Sequence, residues 1–136
     1  MKLTMDEIRL MNALEQVAQV SAKDCITNQS TVSFLVKEED VGKAIGKNAV
    51  NVRALQDKLK KRIEIVGYQN EPEKVVAKEL EITVQSTGEK NGKLVIKTSQ
   101  NDKRKALGNG KFKRVKEFIK RNYDLELVIS WKGFCI

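Results

Sequence analysis

The residues whose types and spacing could do chemistry lie in one segment: Asp40-Val41-Gly42-Lys43-Ala44-Ile45-Gly46-Lys47-Asn48-Ala49-Val50-Asn51-Val52. A small glycine loop followed by a helix with basic residues is a device for holding phosphates. Gly46 lets backbone approach a phosphate closely, and the start of the next helix offers N–H groups and partial positive charge. Lys47 adds a charge at the tip of the loop Gly46-Lys47-Asn48-Ala49. Lys43 lies a turn earlier and Arg53 a turn later. Ile45 and Val52 could floor a groove where bases lie. Alone, this string is equally a helix–turn–helix corner in which glycine ends a helix.

Recurrence narrows the choice. From Asp102, 62 residues after Asp40, the chain reads Asp102-Lys103-Arg104-Lys105-Ala106-Leu107-Gly108-Asn109-Gly110-Lys111-Phe112. Both copies contain Asp-x-x-Lys-Ala-(Ile/Leu)-Gly, and both run through an amphipathic stretch into a short apolar strand. The second copy is the more basic, with Lys105, Lys111, Lys113 and Arg114 around Gly108, Asn109 and Gly110.

The chain has 136 residues with 26 Lys+Arg against 18 Asp+Glu, net +8. Residues 1–70 contribute 11 basic and 9 acidic side chains, a net +2; residues 71–136 contribute 15 and 9, a net +6. A field of that sign attracts polyanions, nucleic acid first and anionic membrane second. No apolar run of ~20 residues is present to span a bilayer, and the first residues lack the apolar core of a signal peptide. With no histidine and with Cys25 and Cys135 far apart, no zinc site is expected. Both thiols are expected to be unpaired. No acid–base or nucleophile constellation stands out, so neither catalysis, a cofactor nor a small-molecule substrate is expected.

The elements that must position the loops are legible in outline. Thr4-Met5-Asp6-Glu7 has the form of a capping box, and Ile8, Met11, Leu14 and Ala18 make an apolar stripe to about Val20. Strands are expected at 24–28 and 31–37, the latter with Val32, Phe34 and Val36 on one face. A short helix over 39–45, a helix with Val52, Leu55 and Leu59 inside, and a strand over 62–67 complete the first half. The second half repeats the order. Asn70 caps a helix with Pro72 in its first turn; a strand over 81–85 and a hairpin loop over 87–92 lead to a strand over 93–98. A helix ending near Leu107, another over 111–122 and a strand over 125–130 follow. The expected architecture is α+β, two α-β-β-α-α-β domains at 1–68 and 69–136, each a three-stranded sheet with helices on one face. Halves of this size are marginal alone.

Ala44-Ile45-Gly46-Lys47-x-x-x-Asn51-Val52 resembles the core of a KH domain, whose loop clamps single-stranded nucleic acid. The element order, extra helix first, resembles type II KH domains, and the whole chain is similar to archaeal NusA-like transcription factors, tandem KH domains and little else. This resemblance implies single-stranded RNA binding, a role in transcription termination or elongation, RNA polymerase as a partner, and a cytoplasmic setting. Two departures stand out: Ala49 takes the place of the loop's second glycine, and Lys111 does so in the second copy. Phe112 is a candidate nucleotide contact; Tyr123, Trp131 and Phe134 are either stacking residues or core. Two other readings stay open: a ribosome-associated or ribosome-assembly KH protein, and a protein-interaction module whose basic face meets an acidic partner.

Overall fold

The computed structural model describes residues 4–131. They fall into two compact units that divide between Gln69 and Asn70, one residue beyond the expected boundary.

Unit 1 begins with α1 (Met5–Ala18). Thr4 Oγ1 accepts the Glu7 N–H at 3.1 Å, and Glu7 Oε1 accepts the Thr4 N–H at 2.9 Å. This is the expected capping box, satisfying two orphan donors reciprocally. The helix stops at Ala18, short of Val20, because Gln19 turns left-handed (φ 57°). Its inner stripe is Leu10, Met11, Leu14, Val17 and Ala18 against the core. Ile8, expected on that stripe, is 39% exposed.

β1 (Ala22–Thr27) pairs antiparallel with β2 (Thr31–Lys37). Asn28 makes the turn between them: its Oδ1 accepts the N–H of Ser30 and of Thr31 at 2.9 and 2.8 Å. A 3-10 turn (Glu38–Asp40), α2 (Val41–Ile45), a second 3-10 turn (Lys47–Ala49) and α3 (Val50–Leu59) then carry the chain to β3 (Arg62–Tyr68). β3 lies parallel to β2, so the sheet order is β1-β2-β3. Val32, Phe34 and Val36 join Leu14, Cys25, Ala44, Leu55 and Ile63 in one core. Gly67 is buried beside Glu38, whose carboxylate occupies the place a Cβ would take.

Unit 2 repeats the order with α4 (Pro72–Leu80), β4 (Ser86–Lys90), β5 (Lys93–Thr98), α5 (Gln100–Leu107), α6 (Phe112–Tyr123) and β6 (Glu126–Trp131). The sheet is again antiparallel then parallel, β4-β5-β6. The N-cap of α4 is Glu71 rather than Asn70, with Pro72 in the first turn as expected. Val75, Val76, Leu80, Val115, Phe118 and Ile119 are buried with Leu94, Ile96, Leu127 and Ile129. The fold is thus α+β, with two three-stranded sheets and six α-helices among the described residues.

One strand is displaced. Residues 81–85, expected as a strand, form a connector, and β4 begins at Ser86. Glu81 ends α4 in the left-handed region (φ 55°), and the N–H groups of Glu81 and Ile82 both reach the Ala77 carbonyl. Ile82 is buried as the apolar residue that follows such a cap, so its alternation with Val84 is not a strand pattern. The hairpin is set instead by Asn91-Gly92, both at positive φ (53° and 76°). Such a turn matches strand twist and fixes register, pairing Lys90 with Lys93.

A Cβ on Gly92 would meet nothing within 4 Å, so Gly92→Ala isolates the conformational term. A left-handed alanine costs about 1–2 kcal/mol, offset by about 0.4–1 kcal/mol from the stiffer unfolded chain. Urea unfolding is expected to show a net loss near ~1 kcal/mol; an unchanged midpoint would refute the positive-φ turn.

Candidate nucleic-acid interface

The first loop is built around Gly46. The residue stands at φ 80°, ψ 165°, and its N–H closes α2 on the Gly42 carbonyl at 2.9 Å. A Cβ there would lie 2.9 Å from Asn51 Nδ2 and 2.9 Å from Val50 Cγ1. Both conformation and space therefore demand glycine. The Asn51 amide that fills this space donates to the Lys43 carbonyl at 2.9 Å. One side chain from the first turn of α3 thus holds the last turn of α2.

Between these points Asn48 (φ 54°) and Ala49 (φ 59°) are both left-handed. The Ala49 N–H reaches the Gly46 carbonyl at 3.1 Å. Asparagine visits this region readily; alanine does so under strain. A helical Ala49 would make its methyl harmless, and the sequence is compatible with that. The structure is not: Ala49 occupies a conformation that favours glycine. No side chain caps α3, whose N-cap is Ala49 itself.

Lys43, Lys47, Asn48 and Arg53 are all exposed around this loop. Ile45 and Val52 are both half-buried, and Val52 packs against the core. The apolar residue that does face solvent is Val50, 56% exposed at the loop's edge. Sequence reasoning passed over it, although the signal was there: Val50 falls off the 52-55-59 stripe that faces inward.

The second loop has a different construction. Gly108 is right-handed (φ −85°), and a Cβ on it would meet only the Arg104 carbonyl, at 3.2 Å. A Cβ on Gly110 would meet nothing within 4 Å. Gly110 is not demanded by its surroundings, and a Cβ at Gly108 would press on that one backbone carbonyl. Asn109 makes the turn, its Oδ1 accepting the Lys111 N–H at 2.8 Å and its carbonyl accepting the Phe112 N–H at 3.0 Å. Leu107, matching Ile45, is 50% exposed.

The cations here are partly committed. Lys105 Nζ donates to the Glu81 carbonyl at 3.0 Å, and Lys111 pairs with Glu79 at 3.9 Å. Lys103 and Arg114 are engaged as well. Lys113 and Arg104 are exposed. Phe112, Tyr123 and Trp131 are half-buried; Phe134 lies outside the described residues. Cys25 is buried, and Cys135 also lies outside the described residues. Among those residues no three His, Cys, Asp or Glu side chains are grouped to hold a metal ion, and no helix is long and apolar enough to cross a membrane.

Comparison with known proteins agrees with this geometry. The KH domain model matches residues 9–89, more than half of the chain. The chain is 39% identical over 75 residues to a probable transcription termination protein NusA of Methanocaldococcus jannaschii, covering 55% of this chain and 41% of that protein. It is 33% identical over 67 residues to the protein of that name from Methanococcus vannielii, covering 49% and 39%, and 30% identical over 82 residues to that of Halococcus morrhuae, covering 59% of each. The matched part therefore spans less than two thirds of each relative. The crystal structure of APE1850 superposes with a TM-score of 0.79 at 29% identity, covering 96% of this chain and all of that one. The glycine-loop core, the doubled α-β-β-α-α-β order and these matches agree, and the chain belongs to the KH domain family.

Proposed function

We propose that the chain is a single-stranded RNA-binding factor of transcription termination or elongation, working beside RNA polymerase in the cytoplasm, with the unit 1 loop as its grip. The observation that carries this reading is the Gly46–Asn51 interlock. It presents Lys47 and Asn48 to solvent, with Asn48 and the half-buried Ala49 left-handed, between Lys43 and Arg53. A phosphate backbone could pass along the exposed Lys47–Asn48 tip, with lysine charge on both sides. The archaeal relatives named as transcription termination proteins support the transcriptional setting.

Unit 2 holds its second loop by an asparagine turn and commits two cations to its own carbonyl and carboxylate. We assign it a weaker, electrostatic share of RNA binding, through Arg104, Lys105, Lys113 and Arg114 around Gly108, Asn109 and Gly110.

Filter binding to single-stranded RNA across a salt series tests the grip. On a single strand, each phosphate that a cation neutralises adds about 0.7 to the steepness of log K against log salt. Lys43→Ala with Lys47→Ala should flatten the slope by roughly 1.4 if each lysine neutralises one phosphate. Gly108→Ala with Gly110→Ala should leave both slope and affinity unchanged. An unchanged slope in the first variant, or a collapse of binding in the second, would reverse the assignment of the two loops. Recovery of ribosomal subunits rather than polymerase on the full chain would move the protein to a ribosomal role.

Ala49→Gly tests the loop conformation itself. Relief of the left-handed alanine contributes about 1–2 kcal/mol, less about 0.4–1 kcal/mol for the freer unfolded chain. The variant should therefore be more stable by roughly 0.5–1 kcal/mol and bind RNA at least as tightly. Destabilisation on urea unfolding would mean that Ala49 is not left-handed.

A further inference from the structure

The β4–β5 hairpin of unit 2 carries features that neither the sheet nor RNA binding accounts for. β4 is an edge strand, and all five of its residues are exposed. Leu94, Ile96 and Thr98 of β5 are buried, so the partners of Lys93, Val95 and Lys97 share the opposite face. Register sets Ser86 beside Lys97, Gly88 beside Val95 and Lys90 beside Lys93 there. A groove of about 360 Å³ runs along β4 from Ser86 to Lys90 and over Val95 and Lys97, with Lys93 just beyond it.

Two of these pairings work against the sheet. Like charges directly opposite one another destabilise an antiparallel pair, yet Lys90 faces Lys93. Neither ammonium has an ion-pair or hydrogen-bond partner among the described residues. Glu126 adjoins Lys93 in the register without pairing to it, and Glu89, which alternates to the other face of the strand, also lines the groove without pairing to either lysine. Gly88 is the second. Glycine weakens a strand interior, and there it marks a place where another backbone approaches closely. Its φ is not left-handed, and a Cβ on it would meet nothing within 4 Å. Nothing within the unit requires glycine.

We propose that the β4 edge receives an extended acidic segment of a protein partner, added as a further strand. Its backbone pairs with the unpaired edge of β4, and alternate side chains fall over Ser86 and Gly88. Its carboxylates meet Lys90 and Lys93. Strand addition draws affinity from main-chain bonds and specificity from alternate side chains. Lysines on an edge repel indiscriminate pairing, so the same two charges that exclude neutral strands admit an acidic one. The groove has no aromatic lining on which bases could stack, which favours a peptide over a nucleotide chain. This inference does not depend on the RNA reading of unit 1.

The test uses the full chain and a short fluorescent peptide alternating glutamate and valine, read by anisotropy and by amide shifts. Binding with shifts centred on 86–90 is expected, and none with the lysine–valine counterpart. Lys90→Glu with Lys93→Glu should weaken the acidic peptide by at least about tenfold, since like charge at an interface is strongly unfavourable. Gly88→Val should do the same, and the exposed loop substitution Lys47→Ala should leave it intact. Equal binding of both peptides, shifts confined to the α6 lysines, or displacement from 86–90 by oligouridylate would each overturn the proposal. If Gly88→Val lowers the melting temperature, the lysine pair decides alone.

Discussion

A side chain at residue 46 would collide with Asn51 and Val50 in a strained backbone conformation, and the first loop follows from that exclusion. The Asn51 amide stands where a Cβ would go and binds the Lys43 carbonyl. α2 has five residues and α3 ten, too short for helix propensity to hold either in place. Their inner faces are fixed by burial of Ala44 and Leu55; their outer junction is fixed by one amide. With both sides held, the residues between must bulge outward. The left-handed strain at Asn48 and Ala49 persists because the surroundings over-determine it.

The motif that recurs in both halves is therefore not the motif of the loop. Asp-x-x-Lys-Ala-(Ile/Leu)-Gly specifies the helix before it: Ala44 and Ala106 are both fully buried, so the same motif position turns inward in each half. Beyond the glycine the halves part. Unit 1 turns through left-handed residues around an asparagine five positions on. Unit 2 turns through an asparagine next to the glycine, with no left-handed residue between α5 and α6. Sequence repetition located both corners correctly and could not say that only one of them is held open.

The element order was legible because hydrophobic period and cap chemistry agree. Thr4 with Glu7, and Val32-Phe34-Val36, each point to one answer. The expectation failed where two explanations compete for one apolar residue. Ile82 satisfies a strand alternation and a helix C-cap alike; the cap prevails because Glu81 can turn left-handed and free two N–H groups for the Ala77 carbonyl. β4 itself has no hydrophobic signature, since both its faces are exposed. Only Asn91-Gly92 announces it. Ile8 failed similarly: helical spacing allowed it on the stripe, but in the first turn the buried position is Glu7, held there by the capping box.

The uneven charge bears on kinetics differently from contact. A lysine bonded to a neutral carbonyl, as Lys105 is to Glu81, keeps its full charge, whereas Lys111 beside Glu79 is largely cancelled at a distance. Unit 2 thus retains most of its positive field while offering few uncommitted donors around its loop. Such a field raises encounter rates with a polyanion, but residence depends on groups that stay in contact. In unit 1 the balance is reversed: the field is weaker and the loop is rigidly presented. On the proposed RNA-binding reading, capture and holding are therefore separable properties, set by different residues, and the net +8 of the chain measures only the first.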